Sequence, residues 1–510
     1  MRSEEFSLSA MPLIHNTLGI FRAFTFRTMK LHLTSTMAKT AELSNSELTE
    51  LRNVTWQIDC PRMILRRKTA TAPMLFYGPG FLSRSFEGLL RFKLYSSRKI
   101  PAEELHLNDS LEAGVRIPES VYYELAATDF LGRQWKSARL LPDFNVAAAG
   151  LPIAEGRLSE IVCEGKQPTT RKQKNCSLSI WIFDDLTIPT NAITISRKST
   201  AHGQQKIRHT TRNAWRFRSC GIDFLLVKEG EDFLVVRAAA ELEAFPKSFE
   251  DRVVESLQFV LGRPIPWVVM KTRVKNNVTL KLSSRQLGRE DAEKSRFHPP
   301  LPPRPLLNPK TNRMTNKPHR KLFECYLKHT LSCERKRHPL WGHLNAVYKA
   351  STGSFIDAKA MTLAVAIESL LGSEYGNLGK PSKRDRKEIA RFQTHLREWQ
   401  GNGQVKARIE GAISQLLLPR ALDKMRALAQ RGIITEEQQR AWQKLRNLST
   451  HSYQSTGLSS DKFLELIHQV EVLFYHLIFH SIGSQGPYID FSLPGWPIKE
   501  YPHMLGQVAG

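Results

Sequence analysis

The chain lacks the features that most often identify a protein. Its 510 residues include six cysteines, at 60, 163, 176, 220, 325 and 333, and no two form a Cys-x-x-Cys pair. That scatter argues against a zinc ribbon and against a disulfide framework, and it suits a reducing cytosol. No apolar run approaches the roughly 18 uninterrupted residues of a membrane-spanning helix. Glu4 and Glu5 spoil both a secretory signal and a transit peptide. Residues 1–50 are therefore expected to be a flexible leader or a mis-set start, with Met29 and Met37 offering later starts. There is no Walker-type Gly-rich loop, no Gly-x-Ser-x-Gly elbow and no dinucleotide fingerprint, which removes the commonest enzyme classes. Acidic residues are also scarce: 49 Asp and Glu stand against 74 Lys and Arg, for a net charge of +25.

What is present is otherwise ordinary. A composition 41% hydrophobic and 24% charged belongs to a globular protein, and the length suffices for two or more cores. The positive excess favours polyanions, with RNA or DNA a better partner than a membrane surface. The bland reading is a solvated basic surface.

From about Val54 to Leu282 the sequence reads as short strands rich in β-branched and aromatic residues: Phe86–Tyr95, Leu178–Phe183, Ala192–Ser196, Ile222–Val227, Asp232–Arg237 and Val278–Leu282. Lys228–Glu231 reads as a hairpin turn. One helix interrupts, Ser248–Leu261, stopped by Gly262. Phe297-His-Pro-Pro-Leu-Pro-Pro-Arg-Pro305 forbids helix and central strand and reads as an extended spacer. Beyond it, helices are expected near Lys321–Cys333, Leu340–Ala350, Phe355–Leu371, Lys383–Trp399, Val405–Leu418, Ala421–Arg431, Glu436–Ser449 and Asp461–Ile482. The last is apolar almost all round and should lie at a core or a dimer interface. The expected class is α+β multidomain. A β-rich, sandwich-like sensor or positioning domain spans 51–290, a Pro-rich linker 291–318 and an all-α bundle 319–510.

The chemistry concentrates in Trp442-Gln-Lys-Leu-Arg446-Asn447-Leu-Ser-Thr-His451. A guanidinium holds phosphate with two prongs, and an imidazole moves protons at neutral pH. The spacing alone is weak, because Arg27/His32 and Arg197/His202 repeat it. Context distinguishes the third pair. Thr435-Glu-Glu-Gln438 is a capping box that starts a helix, with Trp442, Leu445 and Leu448 on its apolar side and Arg446 at the border. In one straight helix Arg446 and His451 would lie about 140° apart. Either the chain bends after Leu448 or two copies meet across a dimer axis. The plain alternative makes Arg446 a helix-end ion pair and His451 a loop histidine. Glu368, among Val365, Ile367, Leu370 and Leu371, should have a partner, either Arg446 or solvent at the helix edge.

Arg446-Asn447-x-x-x-His451 resembles the signature of the HEPN superfamily (the higher-eukaryote and prokaryote nucleotide-binding domains). Phe355–Gly372 resembles the early HEPN helix that carries an acidic residue, here Glu368. The helix Asp461–Ile482 and the tail Tyr488–Phe491 resemble the close of ApeA-type HEPN proteins of bacterial antiphage defence. The likeness covers roughly the last third of the chain. It implies a helical homodimer and a metal-independent, cofactor-free endoribonuclease active in abortive infection. The 2′-hydroxyl would attack phosphorus, leaving a cyclic phosphate and a 5′-hydroxyl. His451 would carry the proton, Arg446 clamp the phosphate and Asn447 orient either of them, with a second His supplied by the other protomer. A non-catalytic HEPN-like module that binds RNA, a nucleotide or a protein partner is the alternative.

Basic clusters offer RNA a path: Lys380, Lys383, Arg384 and Arg386 before a bundle helix, and Arg212, Arg216 and Arg218 in the β-rich part. On a strand Arg216 and Arg218 would share one face and Trp215 and Phe217 the other. His476 and His480 have the spacing of two metal ligands but read better as core or interface histidines. Cys325, His329, Cys333 and His338 are too irregularly spaced for a zinc site.

Overall fold

Alternation of buried and exposed residues builds the first half of the chain, as in Tyr123–Thr128 and Leu90–Tyr95. The computed structural model describes Leu51 and residues 55–501 apart from several stretches, the longest being 68–73, 100–116, 147–151, 167–173, 199–206, 285–297 and 451–457. The leader at 1–50 lies outside the described residues.

The first strands are β1 (Trp56–Arg67), β2 (Met74–Arg84), β3 (Leu90–Tyr95), β4 (Tyr123–Thr128), β5 (Gln134–Leu140), β6 (Asp143–Val146) and β7 (Pro152–Leu158). They are followed by β8 (Glu160–Lys166), β9 (Cys176–Phe183), β10 (Ala192–Lys198), β11 (Ile207–Ser219), β12 (Ile222–Glu229) and β13 (Phe233–Ala240). After helix α1 (Phe249–Leu261) come β14 (Trp267–Val274) and β15 (Asn277–Ser283). All fifteen strands join one antiparallel order, β10-β11-β12-β13-β9-β14-β15-β8-β5-β4-β1-β2-β3-β7-β6.

Strand β9 shows how the sheet serves two cores. Leu178, Ile180 and Ile182 turn to the side covered by Val253, Leu257 and Val260 of α1. Trp181 turns to the other side, into a cluster with Phe76, Phe92 and Trp135 from the opposite half of the sheet. Both halves thus bury one face against each other, as a sandwich-like arrangement requires. The reading of β11 holds: Trp215 and Phe217 are buried while Arg216 and Arg218 are exposed. Strand β2 is less obvious, because Gly78-Pro79-Gly80 resembles a turn. A Cβ at Gly80 would sit 2.0 Å from the Lys93 carbonyl oxygen of β3, so close backbone pairing requires glycine there.

The second half is helical: α2 (Lys317–Leu331), α3 (Pro339–Thr352), α4 (Ile356–Ser373), α5 (Lys383–Glu398), α6 (Gly403–Leu416), α7 (Ala421–Gln430), α8 (Glu436–Thr450) and α9 (Ser460–Ser481). The capping box of α8 is formed, with Gln438 N–H donating to Thr435 Oγ1 at 3.2 Å and Thr435 N–H to Gln438 Oε1 at 3.1 Å. Helix α9 is buried through most of its length.

The Pro-rich stretch is held, not free. Tyr475 OH donates to the His298 carbonyl at 2.5 Å, Ile489 N–H to that of Pro300 at 3.0 Å, and Leu301 is buried. Core packing runs without a break from the sheet into the helices. Phe217 of β11 meets Phe323 of α2 at 5.1 Å, and Tyr348 of α3 donates to the Gln258 carbonyl of α1 at 3.1 Å.

Gly262 ends α1 with φ at +67°, and a Cβ there would lie 2.3 Å from Pro299 Cα. Gly262→Ala should therefore destabilise by more than roughly 2 kcal/mol, from left-handed strain and the clash together. Gly342, inside α3, has no heavy atom within 4 Å of such a Cβ. Gly342→Ala should stabilise by about 0.5–1 kcal/mol. Urea midpoints of the two variants check both signs.

Candidate active site

Helix α4 forms the floor of the site. Ala364 and Ile367 bury its inner side, and Trp442 and Leu445 of α8 pack into the same cluster. One turn beyond Trp442, Arg446 reaches across to α4 and forms an ion pair with Glu368. Its guanidinium carbon lies 5.9 Å from the centre of the Trp442 ring. The pairing selects Arg446 over solvent as the partner of Glu368. The Arg446 side chain is still 53% exposed and that of Glu368 33%. The cation is thus anchored on one side and open to solution on the other. Asn447 is exposed beside it, and His451 lies outside the described residues.

Several large apolar side chains of the helical half are exposed, among them Phe355, Met361 and Val365 of the α4 region and Leu464 of α9. Met361 and Val365, four residues apart, share the α4 face one turn from Glu368.

Deeper in, α4 carries a second charged contact that the sequence reading missed. Lys359 pairs with Glu471, a fully buried residue of α9. The same carboxylate accepts from His298 Nδ1 at 3.1 Å. Burial alone would raise the Glu471 carboxyl, but the His298 hydrogen bond and the Lys359 charge outweigh it and hold it below the usual range. His298, His468 and Glu471 lie close enough to share an ion, yet Lys359 already neutralises the carboxylate. The available signal was a lone glutamate inside the apolar run of α9.

The proposed RNA-binding residues fall in two places. Lys380 precedes α5, and Lys383, Arg384 and Arg386 lie in its first turn, all exposed. Cations at a helix N-terminus oppose the macrodipole, a cost that a bound anion relieves. Arg216 and Arg218 are exposed on β11, with Arg218 3.8 Å from Asp223. Arg212 is in the same strand, its side chain outside the described residues. His476 and His480 do not converge on a metal among the described residues. His476 is buried, accepts from the Gln438 amide at 3.0 Å and packs on Tyr488 and Tyr501. Tyr375 OH meets His480 Nδ1 at 3.2 Å. His329 and His338 do come together, with Glu374 and without either nearby cysteine.

No protein-family model, curated protein or solved structure matches this chain. Among the described residues no helix is long and apolar enough to cross a membrane.

Burial pushes His476 down from 6.5 to about 3. The unfolded chain takes up this proton and the folded one does not. The stability is therefore full above pH 6.5 and falls as pH drops through 6.5 toward 3, by up to about 1.4 kcal/mol per pH unit. Between pH 7 and pH 5, His476→Leu should lose about 2 kcal/mol less than the wild type, read from urea unfolding at both pH values.

Proposed function

We propose that the chain is a metal-independent endoribonuclease of the HEPN type, acting as a homodimer in the cytosol and serving antiphage defence. The observation that carries this reading is the Arg446 guanidinium, oriented by Glu368 and Trp442 yet half open to solvent. A cation that served only to pair would gain from fuller contact with its carboxylate. One that must hold a phosphate needs to be reached from solution, and a guanidinium presents its donors there in a fixed fork.

In the proposed reaction a base takes the 2′-hydroxyl proton and the oxygen attacks phosphorus. The bond to the 5′-oxygen breaks, and an acid protonates that leaving oxygen. His451 and its counterpart in a second protomer fill these two roles, while Arg446 offsets charge on the phosphorane oxygens. Asn447 orients the phosphate or the imidazole. Exposed Met361 and Val365, on the α4 face that carries Glu368, support pairing of two copies beside the site. The net charge of +25 and the exposed Lys380, Lys383, Arg384 and Arg386 support RNA as the substrate.

Cleavage of total cellular RNA by purified protein tests the reading. His451→Ala and Arg446→Ala should each lower the rate by roughly 100-fold or more, with far-UV circular dichroism unchanged. Equal cleavage by wild type and the double variant, with RNA binding retained, would overturn it in favour of a non-catalytic binding module.

A further inference from the structure

The far end of α4 carries a polar cluster that the nuclease reading does not use. Glu374 caps the C-terminus of α4, and His329 sits in the last turn of α2. His329 Nε2 lies 3.1 Å from Glu374 Oε2. His338, directly before α3, brings its ring centre to 5.0 Å from that of His329, tilted by 64°. One ligand atom from each of the three lies within 4.8 Å of the others. Metal–ligand distances of about 2.0–2.1 Å in a tetrahedral shell put neighbouring ligands roughly 3.3 Å apart, so small side-chain rotations close the shell.

We propose that the ends of these three helices form a site for a divalent transition cation of the zinc type, with His329, His338 and Glu374 as ligands. Two imidazoles and a carboxylate are a zinc donor set that leaves a fourth position. Burial drives His338 down to about 4 against the opposing pull of Glu374, so its imidazole is neutral at pH 7. Burial would raise Glu374, but the His329 hydrogen bond and the two imidazoles prevail and keep it ionised.

Charge separates this cluster from the one at Glu471. There Lys359 already supplies the positive charge. Here the partner of Glu374 is an imidazole, His329, in place of a lysine, and the nearby Arg252 is matched by Glu255 at 2.9 Å. Outside the three-residue group, His343 Nε2 is buried and has no hydrogen-bond partner among the described residues, and the Glu374 charge acts on it. Leu340 N–H reaches His338 Nδ1 at 3.2 Å, and ligation through either ring nitrogen gives up that contact. A bound cation would tie α2, α3 and α4 together roughly 9 Å along α4 from Glu368. The site stands or falls independently of RNA cleavage.

Zinc chloride titrated calorimetrically into the full-length, chelator-treated protein tests the proposal, with the visible absorption of a cobalt-substituted sample as a second readout. One equivalent should bind. His329→Ala and Glu374→Gln should each weaken binding by at least roughly tenfold, whereas His468→Ala should leave it intact. Circular dichroism establishes that the variants are folded, and Glu374→Gln, which preserves shape, provides the test if His329→Ala does not fold. Absence of stoichiometric binding to the wild type would overturn the proposal. So would equal binding by wild type and Glu374→Gln, or loss of binding in His468→Ala alone.

Discussion

Lys359 and Glu368 of the largely apolar helix α4, with Glu374 at its C-cap, organise the helical half of this protein. Along α4, Lys359 pairs with Glu471 of α9, Glu368 with Arg446 of α8, and Glu374 with His329 of α2. At about 100° per residue, Lys359 and Glu368 lie roughly 180° apart around the axis, and Glu374 about 120° from Glu368. One helix therefore grips a different neighbour on each of three sides. Apolar packing is indifferent to small rotations and slides, whereas a buried ion pair is not. Leaving one member of such a pair uncompensated typically costs about 3–5 kcal/mol, so the buried Lys359–Glu471 pair fixes the register of α4 within the bundle.

The three contacts grade from interior to surface. The Lys359–Glu471 pair is buried, Glu374 is largely covered, and Arg446 is half exposed. Buried pairs serve position; an exposed one can meet a ligand. On the proposed reading, the outermost pair keeps a guanidinium aimed while leaving it half exposed, within reach of a ligand. The apolar surface beside it then becomes the place where a second copy completes the site.

Much of this architecture was legible in the sequence. The eight helices of the second half follow from 3.6-residue periodicity and from caps such as Thr435–Gln438, and a carboxylate in apolar company marks Glu368 as needing a partner while leaving Arg446 and solvent as alternatives. Strands such as β2 were harder, since Gly78-Pro79-Gly80 carries a turn signal that close pairing with β3 overrides. The Pro-rich stretch 298–305 holds neither helix nor strand, as its prolines require, but its anchoring by Tyr475 and Ile489 depends on residues far along the chain. The same distance in sequence hid Lys359 with Glu471 and His329 with Glu374. No local pattern joins residues more than 40 positions apart, and a buried charge announces a partner without naming it.

The most direct test of the central claim is a double-mutant cycle on RNA cleavage with Glu368→Gln and Arg446→Ala. If Glu368 acts by holding Arg446 in place, Glu368→Gln slows the wild type but causes no further loss in the Arg446→Ala background. Additive losses would show that the two residues act separately and would contradict the account.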